Sequence, residues 1–484
     1  MEAKNIGELK KSGYTSKTIK EEIRANLIER LKNKSSSFEG IQGFDDTVIP
    51  DLERALLSKH NFLLLGLRGQ AKTRIARKLV TLLDEFIPII EGSEINDDPL
   101  QPISIFGRNI VNTLGDKTPI SWVHRSDRYV EKLATPDVSV ADLIGDVDPI
   151  KAATLKLPYS DERVIHFGLI PRAHRSIFVI NELPDLQPRI QVALFNILQE
   201  QDLQIRGFKL RFPLDIQFVF TANPEDYTNR GSIVTPLKDR IESQILTHYP
   251  KSIEIAKSIT EQESKPAKQQ SDKIEMHGMI RDILERLVFI ARKSEFVDVN
   301  SGISTRLSIS AMENLYSTAE RRMLKNKEKK TSIRINDFWG IIPSIIGKVE
   351  LVYEGEQEGH YNVALKFLEK AISETFLEYF ENPKLSERSE KDVYGVVRAY
   401  FQNQNEVKLY NDDSDKDFQS ALDKIVGLDG LLKTQKIKKA DYPIMKELIL
   451  HGLSEFEVIE KDFIINQMLF RDPLSGMLTE LGDI

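Results

Sequence analysis

The segment 62–73 constrains the fold of this chain more than any other part of its sequence. It reads FLLLGLRGQAKT and continues into the amphipathic stretch RIARKL. The apolar run has the length of a buried strand, and the apolar spacing after Thr73 predicts a helix. A glycine-containing loop that joins a strand to a helix and ends in Lys-Thr has the layout G-x-x-x-x-G-K-[ST] of a phosphate-binding loop.

The loop predicts a nucleotide site with defined roles. Backbone N–H groups of residues 69–73 would surround the β-phosphate, Lys72 would reach the β- and γ-phosphate oxygens, and Thr73 would ligate Mg²⁺. The candidate nucleotide-binding residues of the loop are Gly66, Leu67, Arg68, Gly69, Gln70, Ala71, Lys72 and Thr73. The alternative is a strand–turn–helix with a surface lysine, which only evidence elsewhere in the chain can exclude.

One loop position departs from the pattern, because Ala71 stands where glycine is usual. Alanine keeps the N–H donor of that position. We expect only a small effect, on the condition that the φ angle of Ala71 is negative.

Two further apolar runs end in polar residues suited to nucleotide chemistry. Ser176–Ile180 is followed by Asn181 and Glu182, where ATPases of this type usually have Asp-Glu. Glu182 is the candidate that orients or deprotonates the attacking water. The Asn181 amide oxygen can accept from metal-bound water but carries no charge, so we expect weaker Mg²⁺ binding.

Ile216–Thr221 is the other run, and Asn223 follows it. In parallel sheets ligands bind beyond the carboxyl ends of the strands, so Asn223 is a candidate to contact the γ-phosphate and the water. An Asx-turn ahead of Pro224 is compatible with that role.

Composition limits the alternatives. The chain has 484 residues, no cysteine and a formal net charge of −7. Disulfides, thiolate metal sites and cysteine nucleophiles are thus excluded, and general nucleic-acid or anionic-membrane affinity is disfavoured. We expect a cytoplasmic protein without membrane association, because the apolar runs are far too short to span a bilayer.

The pattern along the chain predicts four regions: an N-terminal amphipathic helix in 1–37, an α/β core over 38–258, a helical region over 259–345 and a further, mainly helical region over 346–484. The predicted core is a parallel sheet with helices on both faces. Its strand candidates are Asn61–Leu65, Ser121–Val123, Ser176–Ile180 and Ile216–Thr221. The polar stretch Thr260–Lys273 is interpreted as a linker or exposed loop.

With these residues together, roughly residues 38–345 resemble the AAA+ ATPases of the magnesium-chelatase small-subunit and MoxR-like group. The resemblance is carried by Gly66–Thr73, Leu133–Ala152, Phe167–Ile177 and the hairpin Gln204–Pro213 before Asn223. It implies a P-loop NTPase core with an all-α lid, ATP and Mg²⁺ as cofactors, and ATP hydrolysis that Asn181 would slow. Residues after about 346 match no family.

The resemblance also implies roles for single residues. Asn181 and Glu182 correspond to the Walker B end, and Asn223 to sensor 1. Arg240 resembles the arginine finger that reaches the neighbouring subunit's ATP, and Arg306 resembles sensor 2 in the lid. A finger acting on a neighbour requires a closed ring, and the family implies a hexamer.

Several functions fit such a motor. The first is a chaperone-like ATPase that remodels or activates a partner protein, and the resemblance suggests a von Willebrand A-domain protein. The alternatives are the ATPase subunit of a metal chelatase, or a nucleotide-gated scaffold with little turnover, which Asn181 favours. A nucleic-acid motor rests only on Arg206, Lys209 and Arg211 in an otherwise acidic chain.

Overall fold

The protein is described by a computed structural model over residues 3–200, 202–205, 208–224, 232–388, 392–464 and 467–473. These residues form two compact units, Met1–Tyr249 and Pro250–Ile484. The candidate loop, Glu182, Asn223 and Arg240 belong to the first unit, and Arg306 belongs to the second. Arg206 lies outside the described residues.

A five-stranded parallel sheet forms the centre of the first unit. Its strands, labelled in chain order, are β1 Phe62–Leu65, β2 Tyr129–Leu133, β3 Ser176–Asn181, β4 Ile216–Ala222 and β5 Ser243–Leu246. Their spatial order is β5-β1-β4-β3-β2, and every neighbouring pair is parallel. The segments that follow β1, β3 and β4 therefore meet at one edge of the sheet.

Apolar side chains cover both faces of this sheet, as predicted. Alternate residues of a strand point to opposite faces. Leu63 and Phe178 belong to one buried cluster, whereas Phe62 and Val179 belong to another. The first cluster includes residues of the helix Pro188–Glu200, and the second includes residues of the helices Ile19–Lys32, Val48–Leu57 and Lys72–Lys78.

Shorter elements complete the first unit. Three antiparallel pairs are Phe86–Ile90 with Ile120–His124, Gly145–Val147 with Ile165–Phe167, and Asp202–Ile205 with Phe208–Arg211. The remaining helices are Ile6–Lys11, Ile105–Leu114, Val140–Leu143, Pro149–Leu155, Leu169–Arg172 and Thr235–Arg240.

Two features of the predicted sheet were wrong. Ser121–Val123 does form a strand, but that strand pairs antiparallel with Phe86–Ile90 and is no part of the central sheet. The edge strands β2 and β5 were missed because they are only partly buried and carry polar residues, as in the sequence YVEKL of β2. An edge strand needs no continuous apolar run, since only part of its surface is covered.

The second unit is mainly helical around one buried cluster that extends from Ile274 to Phe470. Its longer helices are Ile253–Glu263, Gly278–Arg292, Arg306–Lys325, His360–Tyr379 and Tyr442–Glu455. Its shorter helices are Lys268–Lys273, Ile342–Ile346, Tyr353–Glu358, Pro383–Ser386, Gly395–Gln402, Asp415–Asp423 and Leu428–Thr434. The strands Val407–Tyr410, Glu460–Ile464 and Gln467–Arg471 form an antiparallel sheet, and Ile274–Glu275 pairs with Thr331–Ser332.

The interpretation of Thr260–Lys273 as a loop was wrong for most of its length. Helix Ile253–Glu263 extends into it, and Lys268–Lys273 is helical. Polar composition is compatible with a helix whose outer face is solvated. Of the helices that the structure describes, none has the length and apolar character needed to cross a membrane.

Candidate functional site

The loop after β1 is fixed to the chain segment that follows β5. A Cβ atom on Gly66 would lie 2.0 Å from Thr247 Oγ1 and 2.2 Å from Gln70 Oε1, so a larger residue here would displace these two side chains. Thr247 Oγ1 donates a 2.7 Å hydrogen bond to Oε1 of the buried Gln70. The hydroxyl of Tyr249 donates to the carbonyl oxygen of Arg68 at 2.9 Å. These contacts hold the loop in one shape.

Two loop residues have left-handed backbone conformations. Gly69 has a φ of 73°, and Ala71 has a φ of 57° with a ψ of 13°. We expected Ala71 to have a small effect only if its φ angle were negative, and the structure does not meet this condition. The Cβ of an L-residue crowds the following carbonyl oxygen in this region, which costs roughly 1–2 kcal/mol. Ala71 is thus a strained residue directly before the helix Lys72–Lys78.

The Lys72 ammonium group lies where the ends of β1 and β4 meet. It donates to the carbonyl oxygen of Gly66, to that of Leu67 at 2.9 Å, and to Oδ1 of Asn223 at 2.7 Å. Asn223 directly follows β4 and is buried. The alternative of a free surface lysine does not describe this side chain.

The end of β3 carries the second strained position. Glu182 has a φ of 56° and a ψ of 49°, a conformation uncommon for a residue other than glycine. Its N–H donates to Thr221 Oγ1 at 3.2 Å, on the neighbouring strand β4. Strain of this kind persists only where the surroundings impose it, and it concentrates at functional sites.

Asn181 is held between two strands. Its Nδ2 donates to Glu131 Oε1 at 2.7 Å, and its Oδ1 accepts from Thr221 Oγ1 at 3.1 Å. Glu131 lies on β2 and also accepts from Arg77 Nε at 2.9 Å and from the Tyr129 hydroxyl at 3.1 Å. Burial, followed by the charge of Glu131, raises the pKa of Tyr129, so Tyr129 remains a donor at neutral pH.

The donor chemistry at this edge suits Mg²⁺, which prefers oxygen ligands and keeps several waters. The oxygen ligands would come from the Thr73 hydroxyl, the Asn181 amide and the Glu182 carboxylate, whereas the Glu131 carboxylate already accepts hydrogen bonds from Arg77, Tyr129 and Asn181. Within the described ranges, no group of three or more His, Asp or Glu side chains is arranged to hold a metal ion.

No family model matches this chain. A curated relative is the magnesium-chelatase subunit ChlI homolog of Methanocaldococcus jannaschii, which is 24% identical over 212 residues. The match covers 42% of this chain and 53% of that relative, so the chain spans about half the relative's length. This relative and the strand order of the central sheet support the resemblance to AAA+ ATPases of the magnesium-chelatase and MoxR-like type.

Solved AAA+ structures are also similar to this chain. NtrX from Brucella abortus in complex with ADP is 13% identical, with 76% of this chain and 70% of that chain covered and a TM-score of 0.39. The complex of BchI and BchD of magnesium chelatase is 18% identical, with 66% and 98% covered and a TM-score of 0.34.

The arginine-finger candidate is exposed. Arg240 ends the helix Thr235–Arg240, and its Nε donates to Gln199 Oε1 at 3.2 Å. Its guanidinium lies 3.6 Å from the carboxylate of Asp239 and 5.8 Å from the ring centroid of Phe195. These contacts are exposed and weak, so the guanidinium can leave them readily.

Arg306, the sensor 2 candidate, is the first residue of the helix Arg306–Lys325 and is exposed. Its N–H donates to Ser304 Oγ at 3.1 Å. Its role toward a nucleotide stays a prediction.

Sequence reasoning missed three residues of this site: Glu131, Thr221 and Thr247. Glu131 and Thr247 lie on or directly after the edge strands that were not predicted, and Thr221 lies inside an apolar run. A search for polar residues inside the apolar strands would have found Thr221, whereas no local signal singles out the other two.

Proposed function

We propose that this protein binds ATP with Mg²⁺ and hydrolyses it, in a ring whose subunits complete each other's sites and remodel or activate a partner protein. The convergence of Lys72, Asn223 and Glu182 at one edge of the sheet carries this proposal. A fixed ammonium group beside left-handed loop residues offers a cation and backbone donors to phosphate oxygens.

The residues have separate tasks in this mechanism. Lys72 and the N–H groups of residues 69–73 bind the β- and γ-phosphates and orient the nucleotide. Glu182 holds the attacking water and accepts its proton, and Asn223 orients the water toward the γ-phosphate. Thr73 and Asn181 would face Mg²⁺, which supplies neutralisation of the phosphate charge.

Two arginines extend the site beyond the P-loop. Arg240 would reach the ATP of the next subunit and stabilise the charge that develops on the γ-phosphoryl group. Arg306 would report the nucleotide state to the helical region. A hexameric ring, the von Willebrand A-domain partner and remodelling activity all follow from the family likeness and are part of the proposal.

A nucleotide-gated scaffold is the second candidate, and Asn181 is the observation that favours it. An amide in place of a carboxylate removes one negative charge beside the metal, which lowers Mg²⁺ affinity and slows turnover. Steady-state phosphate release separates the two, since a scaffold would bind ATP with almost no turnover.

Titration calorimetry with ATP and Mg²⁺ tests the binding site. Lys72→Ala should weaken ATP binding by at least about tenfold, because the phosphate charge loses its fixed cation. Lys78→Ala, at the end of the same helix, is the matched control and should bind as the wild type. Equal affinity of Lys72→Ala and wild type would reject the P-loop assignment.

A pulldown with Glu182→Gln under ATP tests the remodelling role. The variant should retain ATP without hydrolysing it, so the loaded ring should hold its partner. Recovery of the same proteins with and without ATP would contradict a nucleotide-driven activity.

A further inference from the structure

The side chain of Asn181 is engaged on both of its polar atoms. The amide nitrogen donates to the Glu131 carboxylate at 2.7 Å and the amide oxygen accepts from Thr221 at 3.1 Å. A carboxylate accepts only, so the nitrogen must face Glu131. A negative charge therefore lies directly beside the uncharged residue at the end of β3.

Glu131 also contacts the helix that follows the phosphate-binding loop. Its carboxylate accepts from Arg77 Nε at 2.9 Å and from Arg77 Nη2 at 3.2 Å. Arg77 is one helical turn after Thr73, and residues four apart share a helix face. Glu131 is thus bonded to both elements, the end of β3 and the face of the P-loop helix, that would border Mg²⁺.

In this structure the Glu131 carboxylate accepts four hydrogen bonds, from Asn181 Nδ2, the Tyr129 hydroxyl and two nitrogens of Arg77, whose charge neutralises it. Its side chain is 22% exposed, so it is only partly screened by water, and Arg77 on the other side of the pair is 64% exposed. Because its guanidinium is largely exposed, Arg77 can turn into solvent at little cost and free acceptor positions on both Glu131 oxygens.

We propose that Glu131 supplies, from the neighbouring strand, the negative charge that Asn181 lacks, and that it does so by accepting hydrogen bonds from water bound to Mg²⁺ in place of those from Arg77. Glu131 is a positioning residue in this scheme. The inference rests on the proposed binding of ATP with Mg²⁺. It predicts that the Mg²⁺ requirement of this protein depends on a strand that carries no nucleotide motif.

The test is an Mg²⁺ titration of binding of a fluorescent ATP analogue, with the full chain and without reference to turnover. Glu131→Gln should raise the Mg²⁺ concentration at half-saturation by about tenfold, the size typical for loss of a partner of metal-bound groups. Binding of the analogue in EDTA should not weaken. Asp127→Asn, an exposed residue in the turn before β2, is the control and should leave the titration unchanged.

Two further variants separate charge from structural support. Glu131→Gln combined with Asn181→Asp returns one carboxylate to the pair, so it should restore most of the lost Mg²⁺ affinity. Arg77→Ala removes the guanidinium that neutralises Glu131 and should lower the Mg²⁺ concentration needed. Because Arg77 is exposed, this variant keeps the inference testable even if Glu131→Gln folds poorly.

The outcomes are distinct. A shifted melting temperature in Glu131→Gln with an unchanged Mg²⁺ titration would show a structural role and overturn the inference. The inference would also be overturned if Arg77→Ala did not lower the Mg²⁺ concentration at half-saturation and the double variant did not lower it below that of Glu131→Gln. If the wild type fails to bind the analogue with or without Mg²⁺, the proposed function itself is wrong.

Discussion

The ammonium group of Lys72 lies 2.7 Å from Oδ1 of Asn223, a residue 151 positions later in the chain. The amide oxygen is a neutral acceptor, so this hydrogen bond orients the ammonium group without placing a negative charge beside it. A carboxylate at the same place would form an ion pair and compete with phosphate oxygens for Lys72.

Asn223→Asp should therefore weaken ATP binding by about tenfold, whereas Asn223→Ala should bind ATP with nearly wild-type affinity. Both should slow turnover, because neither keeps the amide that orients the water. Titration calorimetry and phosphate release measure the two effects. Equal ATP affinity of the two variants would contradict the competition argument.

Ala71→Gly should raise the free energy of unfolding slightly, by up to about 1 kcal/mol. Glycine removes the Cβ strain at a φ of 57°, but it also increases the entropy of the unfolded chain, which offsets part of the gain. Urea denaturation measures the change. Ala153→Gly, on the exposed face of the helix Pro149–Leu155, is the control and should destabilise by about 1 kcal/mol.

The Arg240 and Glu182 side chains that complete one ATP site should come from two neighbouring subunits. Arg240→Ala and Glu182→Gln should each lack ATPase activity alone, because each abolishes one half of every site. Mixing them should restore about a quarter of wild-type turnover, since a random ring pairs intact halves at one interface in four.

No recovery on mixing, with ring assembly intact by light scattering, would mean that Arg240 does not act across an interface. Lys238→Ala is the control on the same helix and should keep wild-type turnover.

Asp215 and His174 should make the free energy of unfolding of the first unit depend on pH, each in the opposite direction to the other. Burial raises the pKa of Asp215 to about 6 and lowers the pKa of His174 to about 4. The two are joined directly, because the N–H of Asp215 donates to His174 Nδ1 at 2.9 Å.

The sign follows from which state holds the proton. Between about pH 4 and 6 only the folded state keeps Asp215 protonated, so its contribution to stability falls as the pH rises. For His174 the unfolded state holds the proton between about pH 4 and 6.5, so its contribution rises with pH.

Asp215→Asn should accordingly gain stability relative to the wild type as the pH is raised from 4 to 6, by up to about 3 kcal/mol. His174→Gln should show the opposite trend. Urea denaturation across this range measures both, and parallel curves for all three proteins would show that neither group titrates in this window.

Local sequence was sufficient to predict the strand–loop–helix around Lys72 and the polar ends of β3 and β4. Each of these features lies within a few consecutive residues, and a strand buried on both faces is mainly apolar. The edge strands β2 and β5 carry no such signal, because partial burial tolerates residues such as Glu131.

The sequence by itself determined that a lysine and an Asn-Glu pair would follow buried strands, because burial dictates apolar runs and polar breaks. Only the tertiary structure decided that Ala71 takes a left-handed conformation, since the loop's path depends on its contacts with Thr247 and Tyr249. It alone also placed Glu131 beside Asn181, because pairing of β2 with β3 brings together residues 50 positions apart.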